Sequence, residues 1–211
     1  MKTYVYIDAF NLYYGALRYS PHKWLDLGAL SSVLFPNDEI SRIKYYTARL
    51  KPEATDRGKS KRQQIYLRAL RTIPQLEIVY GYFQSHPVKR VLASSLPSKP
   101  KIVTVIKNEE KGSDVNLAVD LIADGCAGVY EQAVVISNDS DLGRAVKIVA
   151  TMYKLPVVVV NPFYRNNKPP AKALVKHASS KRTLRGGALK RCQFPQTISL
   201  KNKKIVKPKG W

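Results

Sequence analysis

The sequence predicts an α/β three-layer sandwich built on a mostly parallel central sheet. Segments of strand composition alternate with segments of helical periodicity through the first 160 residues. The last of those strands, Pro156 to Val160, is a bare valine run, as in parallel strands covered on both faces. A length of 211 residues and a mass of 23.8 kDa suit one well-filled core with a small appendage.

Taken in order, Lys2 to Asp8 reads as a short buried strand, Tyr4-Val5-Tyr6-Ile7, that ends on a carboxylate. It turns through Ala9-Phe10-Asn11 into a helix from Leu12 to Tyr19. Leu27, Leu30, Val33 and Leu34 recur at helical spacing after Asp26, and Pro36 stops that helix. Ile40 to Leu50 is a second strand. Residues 55–72 combine Ile65, Leu67, Ala69 and Leu70 with six Lys or Arg between Arg57 and Arg71, which gives a helix with one apolar and one strongly basic face. Leu76 to Phe83 is the third strand. Residues 84–100, with Pro87, Pro97, Pro100 and a serine-rich middle, read as a surface excursion from which Lys101 to Lys107 returns as an edge strand or hairpin arm. A helix from Ser113 to Ala123, the strand Ala133 to Ser137 and a helix from Ser140 to Tyr153 lead into the valine strand. Residues 161–211 lack this alternation; they offer a short helix around Leu174, Val175 and Ala178, and a hairpin pattern over Thr197 to Val206. The expected organisation is a domain over 1–160 and a basic extension over 161–211 packed against it.

Charge narrows the partners. Residues 1–141 hold 19 bases and all 15 acids, a balance of +4, whereas residues 142–211 hold 17 bases and no acid. A field of that sign gathers polyanions, with nucleic acid the leading partner and an anionic membrane surface the lesser one. Hydrophobic residues at 45% and charged residues at 24% exclude a collagen, a coiled coil and a disordered regulator. No apolar run reaches membrane-spanning length and the first residues form no signal-peptide core, so a cytoplasmic protein is expected. Cys126 and Cys192 match neither a redox pair nor a zinc site and are expected to be reduced and structural.

Open α/β sheets bind ligands outside the carboxyl ends of their strands. Asp8 ends the first strand, Asp139 and Asp141 follow Val134-Val135-Ile136, and Asp114 opens the helix after Glu110-Lys111-Gly112-Ser113. If the first strand and the 133–137 strand are neighbours, the four carboxylates share one rim. Such a cluster needs a cation between its members. Oxygen donors without His or Cys select Mg²⁺ or Mn²⁺, whose bound waters serve phosphodiester cleavage. Asp114, Asp139 and Asp141 also suit helix capping, so their types alone leave two roles open. Asp8 should have no capping duty unless a helix begins within a residue or two. Asn11 caps the first helix, orients Asp8, or does both. Asp120 lies six residues beyond Asp114, on another side of the helix, and is expected behind the site together with Ser137 and Lys111. Lys111 is placed to steer a phosphate, to pair with Asp114, or simply to face solvent.

Three stretches then resemble the motifs of the NYN domain family, LabA-like branch, among the PIN-like nucleases: Tyr6-Ile7-Asp8-Ala9-Phe10-Asn11-Leu12, Lys111-Gly112-Ser113-Asp114-Val115 leading to Ala118-Val119-Asp120-Leu121, and Ser137-Asn138-Asp139-Ser140-Asp141-Leu142. Arg62 to Leu70 is similar to that family's basic helix, and Gln193-Phe194-Pro195 with Lys207-Pro208-Lys209-Gly210-Trp211 resembles a C-terminal segment often found in it. Asn138 departs from the pattern, since a glycine is commoner there. The resemblance implies a PIN-like sandwich, a metal site of Asp8, Asp114, Asp139 and Asp141 with Asn11 positioning, and a Mg²⁺- or Mn²⁺-dependent ribonuclease. RNA would be held by Arg57, Lys61, Arg62, Arg68 and Arg71 on the basic helix and by Lys168 and Lys172. The alternative is a non-catalytic RNA- or DNA-binding module. Tyr13, Tyr14 and Tyr45 are able to stack bases, although core packing suits most of the 13 tyrosines better. No Walker or dinucleotide loop follows a strand, and His22, His86 and His177 lack a nucleophile to pair with.

Overall fold

The computed structural model describes residues 1–52, 56–95, 98–164 and 168–211. Its elements in chain order are β1 (Lys2–Asp8), α1 (Ala9–Leu12), continued by a π-helical turn over Tyr13–Leu17, α2 (Leu27–Leu34), β2 (Glu39–Ala48), α3 (Lys59–Leu70), β3 (Leu76–Val91), β4 (Ile102–Lys111) and α4 (Ser113–Cys126). There follow β5 (Gln132–Ile136), α5 (Gly143–Thr151), β6 (Val157–Asn161), α6 (Lys172–Val175), β7 (Ser180–Thr183), α7 (Gly186–Arg191), β8 (Thr197–Leu200) and β9 (Lys203–Val206). The main sheet has seven strands in the order β4-β3-β2-β1-β5-β6-β7. Every pairing in it is parallel except that of β3 with β4.

Hydrophobic burial explains the layering. β5 and β6 are buried at every position, and alternate side chains feed two cores. Val134, Ile136, Val158 and Val160 face the core shared with α1, α2 and α3, while Val135, Val157 and Val159 face the core shared with α4 and α5. β1 and β5 are neighbours in the register Ile7↔Ile136, which sets Asp8 beside Ser137. Among the described residues, no helix is long and apolar enough to cross a membrane.

Several elements differ from expectation. The first helix begins at Ala9, not Leu12, because the Asp8 carboxylate accepts the Asn11 N–H and caps it at once. Asp8 therefore does have a capping duty. Residues 84–91 are no excursion: they extend β3 into a two-stranded arm with β4, in which Pro87 stands opposite Ile106. A two-stranded arm leaves one row of N–H groups facing outward, where a proline removes no ladder bond. Pro97 lies outside the described residues. The sheet also continues past the expected border at residue 160, since β7 at 180–183 pairs with β6.

The rest of the chain is tied back onto the sandwich. Trp24 Nε1–H donates to the Pro195 carbonyl at 2.9 Å, Phe194 is buried, and the Trp211 ring stands 5.1 Å from that of Tyr66. The hairpin read from the sequence is β8 with β9. Both cysteines are free, Cys192 in the core and Cys126 at the exposed end of α4.

Candidate active site

The end of β1 and the turn after β5 are built around one carboxylate. Asp8 is 8% exposed; its Oδ1 accepts the Asn11 backbone N–H at 2.9 Å, and its Oδ2 accepts Asn11 Nδ2–H at 2.7 Å and Ser137 Oγ–H at 3.0 Å. Burial pushes the Asp8 pKa up, the bonds from Asn11 and Ser137 pull against it, and the charge of Asp139 adds to the rise. The Asn11 side-chain oxygen in turn accepts the Asn138 N–H at 3.2 Å, so one side chain orients Asp8 and joins the β1 and β5 turns. The Ser137 hydroxyl accepts the Asp139 N–H at 3.1 Å, and Asp139 Oδ1 accepts the Asp141 N–H at 3.0 Å. Asp139 thus caps the short 3₁₀ turn that precedes α5 and still keeps Oδ2 for other work.

Asp8, Asn11, Asp114 and Asp139 line one cleft, about 340 Å³ in volume, with Phe10 and Phe83 among its walls. The sequence reading missed Glu110, which lines the same cleft and whose Oε1 accepts the Ser113 N–H at 3.1 Å. Its signal was the pair of glycines around it. Gly112 takes φ +90, the left-handed region, and a Cβ on Gly81 would collide with the Lys111 carbonyl and the Glu110 carboxylate. These positions let β3 pass close beneath the 110–113 turn and bring Glu110 to the rim.

Other expected site residues lie elsewhere. Asp141 is exposed and does not line the cleft. Asp120 accepts the Tyr46 hydroxyl at 2.9 Å and pairs with Lys44 at 3.3 Å, and it does not line the cleft. Lys111 pairs with Glu109 at 3.5 Å, not with Asp114. On the basic helix, Arg62 is ion-paired with Asp56, and Arg71 donates to the Tyr80 hydroxyl at 2.6 Å. Arg57, Lys61 and Arg68 are exposed. Lys168 lies over the Phe163 ring, and Lys172 is exposed on α6. Asn138, the departure from the expected glycine, accepts the Ala171 N–H at 2.6 Å and donates to the Pro169 carbonyl at 3.1 Å. Its side chain therefore fastens the 169–171 segment beside the site.

The donors that face the cleft are those of a site for a hard divalent ion. The charged groups that line the cleft are all carboxylates, and Asp8 carries three hydrogen bonds of the roughly four its carboxylate accepts, leaving one acceptor site over. A buried, pKa-raised carboxylate beside another is a group that a cation relieves. Among the described residues, however, no three carboxylate, His or Cys side chains stand together as a ready-made cage. The expected four-aspartate convergence is not present. Mg²⁺ is commonly held by one or two carboxylates with waters and substrate phosphates completing its shell, so the donor set still fits.

The sheet order and the acidic cleft agree with a PIN-like sandwich. The NYN domain model matches residues 2–184, and the chain belongs to the NYN domain family, a nuclease-like family. The chain is 32% identical, over its full length and 75% of the relative's, to 6-hydroxy-3-succinoylpyridine 3-monooxygenase HspA of Pseudomonas putida (strain DSM 28022 / S16). It also resembles the crystal structure of a protein of unknown function, VPA0982, from Vibrio parahaemolyticus RIMD 2210633. That match has a TM-score of 0.54 and 16% identity over 88% of this chain and 94% of the other, a likeness of fold.

Proposed function

We propose that the protein is a divalent-metal-dependent ribonuclease acting at the Asp8 cleft. The observation that carries the reading is the meeting of Asp8, Asp114, Asp139 and Glu110 around one open cleft, with no lysine or arginine paired to any of them among the described residues. Asp8 and Asp139 would hold Mg²⁺ or Mn²⁺, with Asp114 facing them, and the bound ion would supply an activated water and charge neutralisation at a phosphate. Asn11 and Ser137 fix the Asp8 oxygens so that the carboxylate is already aimed before substrate arrives. The Asp141 N–H holds Asp139 in the same way. Lysines flanking the adjoining recess, Lys51 and Lys59, attract the strand's phosphates.

The test is end-labelled RNA incubated with Mn²⁺, with Mg²⁺ or with EDTA. Cleavage is expected only with metal, and Asp8→Asn or Asp139→Asn should lower it by at least about a hundredfold. Cleavage that persists in EDTA, or in a clean preparation of the Asp8→Asn protein, would overturn the reading; binding without cleavage would make the chain a non-catalytic module. A second reading, oxygenation of a pyridine ring, draws on the named relative and on an aromatic slot beside the cleft. Formation of a hydroxylated pyridine by a protein that leaves RNA intact would favour it.

A further inference from the structure

Next to the acidic cleft lies a narrower slot walled by Phe10, Tyr13, Tyr14, Tyr45, Tyr66 and Trp211. Its free volume is about 80 Å³. Phe10 and Tyr14 are shared with the acidic cleft, and also with the recess that holds Lys51. The three hollows therefore adjoin one another at these two rings. The floor is close to the carboxylates: Tyr45 stands opposite Ile7 in the sheet register, and the charge of Asp8 helps hold its phenol well above the usual range, after burial. No described residue hydrogen-bonds the Tyr45 hydroxyl, which leaves a donor and acceptor at the slot. The π-helical turn at Tyr13–Leu17, an insertion in the helical ladder of a kind often found at functional sites, carries both Tyr13 and Tyr14 to this wall.

We infer that the slot takes one pyrimidine base of the RNA strand, unstacked from its neighbours, while the adjoining phosphates run past Lys51 toward the acidic cleft. The inference rests on the nuclease reading and specifies its substrate. Aromatic walls bind any base through its face, so size decides which base enters. An enclosed apolar cavity of about 150 Å³ holds a benzene. A slot of 80 Å³, about half of that but open on one side, grips the leading edge of a single six-membered ring, with the sugar-bearing side of the ring standing outward, and has no room for a fused purine. The Tyr45 hydroxyl then meets a ring heteroatom. A free hydroxypyridine would present the same ring chemistry without a strand attached.

The experiment uses the full chain carrying Asp8→Asn, so that RNA is bound and not cut, with fluorescence anisotropy of labelled oligouridine and oligoadenosine in Mg²⁺. Oligouridine should bind about tenfold more tightly. Leu50→Trp, which adds bulk to the lining that the slot shares with the Lys51 recess, should erase the preference for oligouridine. Should that variant fold poorly, quenching of the Trp211 fluorescence by oligouridine, absent in Trp211→Phe, reads the same event. Equal affinities with no effect of Leu50→Trp would overturn the slot assignment and leave the nuclease reading standing. Failure to bind either RNA would overturn both. Quenching by a hydroxypyridine carboxylate that RNA does not compete away would replace the base with a free ring.

Discussion

Helix α4 carries acidic residues along its length, and its two ends hold them in opposite electrostatic states. Asp114, in the first turn, faces the cleft with Asp8, Asp139 and Glu110. Asp120 and Asp124, further on, turn to the other side and enclose Lys44 at 3.3 and 2.7 Å while accepting the hydroxyls of Tyr46 and Tyr6. Burial weakens the Lys44 charge, but its two aspartates outweigh that and hold its pKa above the ordinary lysine range. The Tyr6 and Tyr46 phenols are held up by burial and by the same carboxylates. One cluster is a closed network with its own cation; the other has carboxylates and no internal cation among the described residues. Residue type does not separate a structural acid from a site acid here. The presence or absence of a counter-charge does.

Breaking the closed network should have the largest effect on stability. Asp124→Ala leaves the Lys44 ammonium with only the more exposed Asp120 and the Tyr6 hydroxyl without its acceptor. A loss of about 2–4 kcal/mol is expected in urea unfolding, because a partly buried charge and a buried donor both lose their partner. Cleavage per folded molecule should stay at the wild-type level. A fall in turnover with unchanged stability would reverse the assignment of the two clusters. Gly81→Ala comes next, at about 1–3 kcal/mol, since the Lys111 carbonyl and the Ser113 nitrogen of the backbone block the new methyl together with the Glu110 carboxylate. It should also lower turnover, because Glu110 must move from the cleft.

The acidic cleft should respond with the opposite sign. A carboxyl whose folded pKa is raised binds its proton more tightly when folded, so Asp8 makes folding less favourable as pH rises from about 4 through its folded pKa. Asp8→Asn should therefore stabilise the metal-free protein by about 1 kcal/mol at neutral pH, with the gain fading below pH 4. Mn²⁺ should raise the wild-type Tm and leave that of Asp8→Asn almost unchanged. Lys44 runs the other way: its contribution is present below about pH 10 and is lost as pH rises through its folded pKa. Stability curves of Asp8→Asn and Lys44→Met against pH, each subtracted from wild type, would show whether the two windows are distinct; a flat Asp8 difference between pH 4 and 7 would remove the cost assigned to its burial.

The parallel sheet was legible because β5 and β6 are apolar at nearly every position, which only a strand covered on both faces can be. The acidic rim was legible for a related reason: a carboxylate ending an apolar strand stands out, and Asp8, Asp114 and Asp139 do reach one cleft. The long β3–β4 arm was not, because Pro87 and a run of polar residues read as a breaker when the arm's free edge is unseen. Glu110 hid beside Glu109, and only the register of β4 shows that one faces the cleft while its neighbour pairs with lysines. Asp120 fitted a motif in the sequence, yet a helix turns six residues through most of two circuits and carries it to Lys44.

The smallest predicted effect concerns the basic helix, where the structure divides residues that the sequence treats alike. Arg68 is exposed and lines a recess of about 360 Å³ with Arg49, Lys61 and Arg71, whereas Arg62 is already neutralised by Asp56. Each phosphate contact on a single strand adds about 0.7 to the slope of log Kd against log salt. Replacing Arg68 and Arg71 together by Gln should flatten that slope by about 1.4 and raise KM, with turnover at saturating RNA nearly unchanged, because these side chains hold substrate and transition state alike. Arg62→Gln alone should scarcely move the slope, since its charge is spent within the fold. If Arg62→Gln flattened the slope as much as the pair did, Asp56 would have to release its arginine when RNA binds, and α3 would have to be redrawn as a helix whose basic face rearranges on binding instead of one already set toward the strand.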